Sequence, residues 1–178
     1  MFWKKKKKHN YGFKCSQCEE YHETWPSLGY GAPWHYSQLT EEEKDKISFL
    51  NEDFCKINWE EQTDRFIRVI LMIPVNNTDR KLEYGLWTSL SEKSFNDYSE
   101  NFNRTDHETK YTSWICNKLI GYESTISIPT NIFTRTGTLR PILEPQRQHE
   151  HQLVTDYING INKEEAERRI HEMMKNAG

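Results

Sequence analysis

The chain has 178 residues and a mass of 21.4 kDa, which is the size of one ordinary domain. Hydrophobic residues make up 35 % and charged residues 29 %, yet 13 % are aromatic, and this excludes a disordered chain because such chains are poor in aromatic residues. No run approaches the roughly 18 consecutive apolar residues of a membrane-spanning helix, and no fixed period indicates a repeat array. We therefore expect a folded, polar domain whose core depends on large rings.

The formal net charge of −3 conceals an uneven distribution of charge. Lys4 to Lys8 form an unbroken run that contributes +5, so the rest of the chain carries −8. This pattern predicts a basic, solvated leader over residues 1–12 and a single acidic domain over residues 13–178. An acidic body repels phosphate, so we expect no nucleic-acid-binding face on the folded part, and membrane contact only through the lysine leader. No apolar segment of a secretory signal follows the lysines, and we expect a cytoplasmic protein.

The first predicted elements follow a loop-rich stretch of Gly and Pro that ends near residue 36. Thr40 with Glu43 three residues later matches a capping box, which predicts a helix over residues 40–51. Phe66–Ile73 is apolar at nearly every position, which predicts a strand covered on both faces. Turn residues then separate it from a second strand over Leu82–Leu90, so the two strands are expected to form an antiparallel hairpin.

The second half of the chain alternates short strands and helices. A helix is predicted to begin at Ser91, two further helices surround Gly160, and Asn162 is expected to cap the last of them. Three more strands are predicted in between, over Tyr111–Cys116, Ser124–Ile128 and Leu139–Leu143. This order of elements predicts an α+β fold, a largely antiparallel sheet with helices packed on it, preceded by a zinc-knuckle-like segment.

Two of the four cysteines have the spacing of metal ligands. Cys15 and Cys18 form a CxxC pair, whose turn brings both thiolates to one ion. His22 follows closely, and Cys55 lies after the predicted helix 40–51. We expect these four side chains to hold a structural zinc ion, because the Gly/Pro-rich front of the chain lacks other means of attachment. Cys116 falls within a predicted strand and is expected to be an ordinary buried thiol.

Four alternatives remain open for this group of residues, and the first is that the cysteines are simple buried or surface thiols that bind no metal. A thioredoxin-like redox pair is disfavoured, because CxxC does not follow a strand of a βαβ unit here. His151 could replace His22 as the fourth ligand, although a histidine at that position is more simply explained as a helix cap. A zinc ion with only three protein ligands would leave an open position for a metal-activated water.

Several of these segments together resemble a known bacterial family. The CxxC–His group, Asp53-x-Cys55, Phe66-Ile67-Arg68, the run Gly85–Ser91 and the closing His151-Gln152-Leu153…Gly160-Ile161 are similar to the bacterial domain of unknown function 2199 family, over most of residues 13–161. Glu19 and Gln152 stand where that family commonly has Gly and Pro. The resemblance leaves the four candidate ligands in place, and it implies no activity.

Arg68 is the most unusual residue of the predicted hairpin. A guanidinium within an apolar strand must be paired with an acid or else marks a ligand pocket. Trp87, in the partner strand, is expected to be core. The sequence contains no phosphate-binding glycine loop, no nucleophile elbow and no HExxH motif.

These observations favour a non-catalytic binding domain, stabilised by zinc, whose partner is another protein. An immunity or antitoxin-type role fits, because an acidic body speeds the encounter with a basic surface. The alternative is a metal-dependent, hydrolase-like enzyme with an open zinc position. The number of protein ligands on the ion distinguishes these two hypotheses.

Overall fold

The computed structural model describes residues 12–14, 19–137 and 139–176. Residues 1–11, which contain the lysine run, and the pair Cys15 and Cys18 lie outside the described residues. The described elements are β1 (Phe13–Lys14), β2 (Tyr21–His22), β3 (Leu28–Gly29), α1 (Trp34–Ser37), α2 (Glu41–Ile47), β4 (Ser48–Leu50), β5 (Phe54–Asn58), β6 (Thr63–Pro74), β7 (Lys81–Ser89), α3 (Glu92–Glu100), β8 (Lys110–Ile115), β9 (Pro129–Phe133), β10 (Ile142–Pro145), α4 (Gln152–Asn159) and α5 (Lys163–Asn176).

Five strands close into a barrel in the order β6-β7-β8-β9-β10. Neighbouring strands are antiparallel except at the closure, where β10 runs parallel to β6 with Ile142 opposite Ile70. The N–H of Ile70 donates to the carbonyl of Pro141 at 2.9 Å there. The α+β class is confirmed, while the closure of the sheet into a barrel was not predicted.

β6 is the central strand, because it spans 12 residues and has neighbouring strands along both of its edges. β7 follows one edge from Phe66 to Pro74, and the other edge is shared by β5 and β10. β4 then continues the sheet beyond β5, and β3 adds to β7 in parallel. The strand therefore belongs both to the barrel and to the extension of the sheet.

The side chains of β6 divide between two cores. Ile67, Val69 and Leu71 are fully buried in the main core, with residues from helices α3, α4 and α5. The other face of the strand, which carries Phe66, Arg68, Ile70 and Met72, is called the outer face below. At one end of it a smaller core contains Leu39, Cys55, Ile57, Phe66, Trp87 and Cys116. The expectation that both faces of this strand are covered was wrong in part, since Arg68, Ile70 and Met72 are only half-buried.

Most predicted elements are found, with shifted limits. The capping box of Thr40 and Glu43 is present, but α2 ends at Ile47 because Ser48–Leu50 pairs with β5. The strand predicted over Ser124–Ile128 was wrong: Ser124 and Ser127 have positive φ, which an extended strand does not allow, and the strand begins at Pro129 instead. β5 was not predicted.

Candidate functional site

Arg68 lies in the middle of the outer face, opposite Trp87 of β7. Alternation along β6 turns its side chain away from the main core, while Trp87 is fully buried as expected. The indole N–H of Trp87 donates to the carbonyl of Tyr30 at 2.9 Å, and its backbone N–H donates to Oδ1 of Asn117 at 2.7 Å. Arg68 therefore extends from a rigid base.

The guanidinium of Arg68 makes no hydrogen bond or ion pair with any other residue that the structure describes. Its Nε is buried and has no hydrogen-bond acceptor. The nearest candidate, Asp53, accepts instead from Nε of Arg140 at 2.8 Å, although its backbone carbonyl accepts from the N–H of Arg68. Burial, and then the neighbouring Arg140 charge, lower the pKa of Arg68.

Two glycines leave space beside the guanidinium. Gly29 of β3 and Gly85 of β7 are paired in register, and a Cβ at Gly29 would lie 3.6 Å from Nη2 of Arg68. A Cβ at Gly85 would lie 4.0 Å from the same nitrogen. A larger side chain at either position would extend toward the guanidinium nitrogens of Arg68, which now lie beside the bare backbone of the two glycines. A flat acceptor such as a carboxylate fits this arrangement, because the guanidinium fork donates two parallel hydrogen bonds to it.

A guanidinium whose donors meet no acceptor among the described residues is chemically able to bind an anion. Arg140 pairs with Asp53, and the charges of Asp53 and Glu52 both act on Arg68, so Arg68 lies near two acids without an ion pair to either of them. Leaving a half-buried cation without a partner costs free energy, and a bound carboxylate or phosphate oxygen would remove that cost.

The predicted metal ligands are only partly covered by the described residues. Cys55 has no exposed surface, and it lies in the smaller core with Cys116, where burial raises the pKa of its thiol to about 12. His22 of β2 lies instead in a pocket with Met174 of α5, which packs on the main core. Among the described residues, no three His, Cys, Asp or Glu side chains are grouped to hold a metal. The placement of Cys55 gives no support to it as a zinc ligand, and the roles of Cys15 and Cys18 remain predictions.

His151 is the N-cap of α4, which confirms the simpler interpretation of this residue. Its Nδ1 accepts from the N–H of Leu153 at 3.0 Å, and its Nε2 donates to the carbonyl of Glu123 at 2.7 Å. Both ring nitrogens are therefore used within the fold.

Sequence reasoning identified Arg68 but not the residues around it. Asp53, Arg140 and Gly29 come from separate parts of the chain, and although Asp53 belongs to the Asp53-x-Cys55 segment of the family resemblance, no local pattern links these residues to Arg68. Two further segments of that resemblance, Phe66-Ile67-Arg68 and Gly85–Ser91, did give a signal, because they pair with each other across β6 and β7.

The fold and the site together define an α+β barrel domain whose outer face carries an arginine that no other described residue pairs with. The chain belongs to the family described as an uncharacterized protein conserved in bacteria (DUF2199), whose model matches residues 14–161. A comparison with the curated proteins found no match, and a comparison with the solved structures found none. No helix among the described residues is long and apolar enough to cross a membrane.

Proposed function

We propose that this protein is a non-catalytic binding domain that receives a carboxylate of a protein partner at Arg68. The observation that carries the proposal is the guanidinium of Arg68, half-buried on a glycine floor with none of its nitrogens bonded to a described residue. Folded proteins pair such groups internally unless a ligand supplies the acceptor.

An immunity or antitoxin-type role in the cytoplasm is one form of this function. The acidic remainder of the chain would speed the encounter with a basic protein surface, while Arg68 would fix the orientation through one acidic side chain of that partner. Partner binding of this kind needs complementarity rather than a reaction.

The proposal is tested by titration with a tripeptide, acetyl-Ala-Glu-Ala-amide, followed through the Nε–Hε signals of the arginine side chains. We expect the Arg68 signal to shift, and the Arg68→Lys variant to bind about tenfold more weakly, because lysine lacks the fork that holds both oxygens. The control is Arg104→Lys, since Arg104 already pairs with Asp106 at 2.8 Å on the surface. The proposal would be contradicted if the uncharged peptide acetyl-Ala-Gln-Ala-amide bound as tightly as the Glu peptide. It would also be contradicted if Arg68→Lys bound the Glu peptide as tightly as the wild type does.

We also propose that a structural zinc ion stabilises the front of the domain. The CxxC spacing of Cys15 and Cys18, with His22 nearby, supports this proposal. Metal analysis of the protein purified without added metal is expected to give about one zinc ion per chain. We expect Cys15→Ser to lose the zinc and to lower the thermal midpoint, whereas Cys116→Ser keeps it. A wild-type protein that is folded without bound metal would contradict the zinc proposal. It would have no bearing on the proposal that Arg68 binds a carboxylate.

A further inference from the structure

A second feature of the outer face is a pocket at the barrel closure, four residues along β6 from Arg68. Its volume is about 490 Å³, which lies within the range of small-molecule sites. Met72 and Ile142 form an apolar floor, and Tyr157 and Ile158 of α4 form one wall. Ile158 is 46 % exposed although it is a large apolar residue. The pocket therefore offers apolar surface that the fold itself leaves uncovered.

Three cations surround this floor. Lys81 begins β7, Arg135 follows β9, and Arg147 lies between β10 and α4, so three separate segments of the chain bring positive groups to the pocket. None of the three forms an ion pair with an acid among the described residues. Arg135 uses only its Nε, which donates to the carbonyl of Arg140 at 2.6 Å.

One carboxylate, Glu144, also lies in the pocket beside Tyr157. Burial, and then the neighbouring Glu144 carboxylate, raise the pKa of Tyr157. Counting this one acid against Lys81, Arg135 and Arg147 leaves an excess of two positive charges around an apolar floor. On an otherwise acidic chain this local reversal of sign favours an anionic ligand over a cationic or neutral one.

We propose that this pocket binds a small organic anion, one carboxylate or phosphate group joined to an apolar body. The apolar body would cover Met72, Ile142 and Ile158, and the anionic group would meet Lys81 and Arg147 at the rim. The pocket is distinct from the Arg68 position: Met72 is four residues from Arg68, or about 13 Å along a strand. It accepts a free ligand, whereas Arg68 is proposed to receive a side chain of a protein.

The test is a titration followed through the methyl signals of isotopically labelled Met and Ile residues, with octanoate and octyl phosphate as probes. We expect both probes to shift the methyl signals of Met72, Ile142 and Ile158, and not those of Ile47 and Ile57 in the smaller core. The tighter of the two probes identifies the head group. Octanamide, which lacks the charge, and inorganic phosphate, which lacks the apolar body, are each expected to bind at least tenfold more weakly than octanoate.

The variant Lys81→Gln/Arg147→Gln tests the role of the charges. Both side chains are exposed, so the fold should be retained. A methyl spectrum of the ligand-free variant that matches the wild-type spectrum would show that it is. We expect octanoate to bind this variant about tenfold more weakly, the factor that two partly exposed charge pairs supply. The matched control is Lys93→Gln, an exposed lysine on α3, which should bind as the wild type does.

Three results would overturn the proposal. They are equal affinity for octanamide and octanoate, unchanged binding by the double variant, or shifts confined to methyl groups outside the pocket. Each of these results is independent of the proposal for Arg68, because Arg68 is unchanged in these proteins. That proposal is tested separately, by the peptide titration that follows the arginine side-chain signals.

Discussion

At the scale of single residues, the two most informative side chains are opposite cases of hydrogen bonding. His151 uses both ring nitrogens within the fold, while the guanidinium of Arg68 uses none among the described residues. A satisfied histidine contributes to stability, whereas an unsatisfied half-buried arginine reduces it. Because Arg68 reduces the stability of the free protein, a role in ligand binding explains this residue better than a structural role does.

The cap of α4 is tested by replacing His151. We expect His151→Ala to lower the free energy of unfolding by about 1 kcal/mol, because the N–H of Leu153 loses its acceptor at the first turn. His151→Asn should recover most of that loss, since Asn is a good N-cap residue. Denaturant unfolding of the three proteins measures the differences. If the Asn variant were no more stable than the Ala variant, capping would not be the role of this residue.

At the scale of elements, the corner between α4 and α5 is joined to the end of β6. Gly160 has a φ of 76°, and a Cβ there would lie 3.0 Å from the carbonyl of Pro74 and too close to Asn76. The carbonyl of Pro74 accepts from the N–H of Ile161 at 2.9 Å, and the N–H of Asn76 donates to the carbonyl of Ile161 at 2.8 Å. Only glycine permits this close approach of the helix corner to the strand.

The same corner is held by a buried arginine. Arg169 of α5 donates to Asp156 of α4 at 2.9 Å, to Glu165 at 2.7 Å and to the hydroxyl of Tyr84 in β7 at 3.2 Å. Its guanidinium also lies 4.3 Å from the centre of the Tyr122 ring. In contrast to Arg68, this buried cation is fully paired, which identifies it as part of the scaffold.

Glu165 makes the stability of this corner depend on pH. Hydrogen bonds from Arg168, and then from Arg169, lower its pKa from 4.5 to about 2. The stabilisation is therefore complete above pH 4.5 and is lost as the pH falls toward 2. We expect Glu165→Gln to be less stable than the wild type at pH 6, with the difference shrinking by pH 2.5 in denaturant unfolding.

Glu164→Gln is the matched control, because Glu164 is exposed on the same first turn and makes no ion pair among the described residues. Its difference from the wild type should stay small at both pH values. A Glu165→Gln variant with an undiminished difference at pH 2.5 would show that the charge of Glu165 does not stabilise the corner.

At the scale of the whole molecule, charge is separated along the chain and again on the surface. The lysine run balances part of an acidic body, and the outer face collects Arg68, Arg140, Arg135 and Arg147 within that body.

Contact with anionic membranes, where it occurs, is expected to depend on the leader alone. Each lysine near such a surface contributes about 1 kcal/mol. Co-sedimentation with phosphatidylserine vesicles at low salt should therefore be abolished by deletion of residues 1–9, while neutral vesicles should bind neither protein. Binding that survives the deletion would place the membrane contact on the folded body instead.

The sequence by itself determined those elements whose signals are local. The capping box at Thr40, the apolar run Phe66–Ile73, the hairpin that follows it and the break at Gly160 each depend on residues a few positions apart, and each is present in the structure. The α+β class followed from the order of these elements, because short-range patterns already decide between helix and strand.

Only the tertiary structure decided how these elements meet. The barrel closes through one parallel pairing of β10 with β6, and Asp53 pairs with Arg140 rather than with Arg68. Such contacts join residues far apart in the chain, so no local pattern records them, and their free energies are settled by competition among all available partners. For this reason the sequence could single out Arg68 as paired or ligand-binding, and only the folded chain showed that no acid among the described residues forms an ion pair with it.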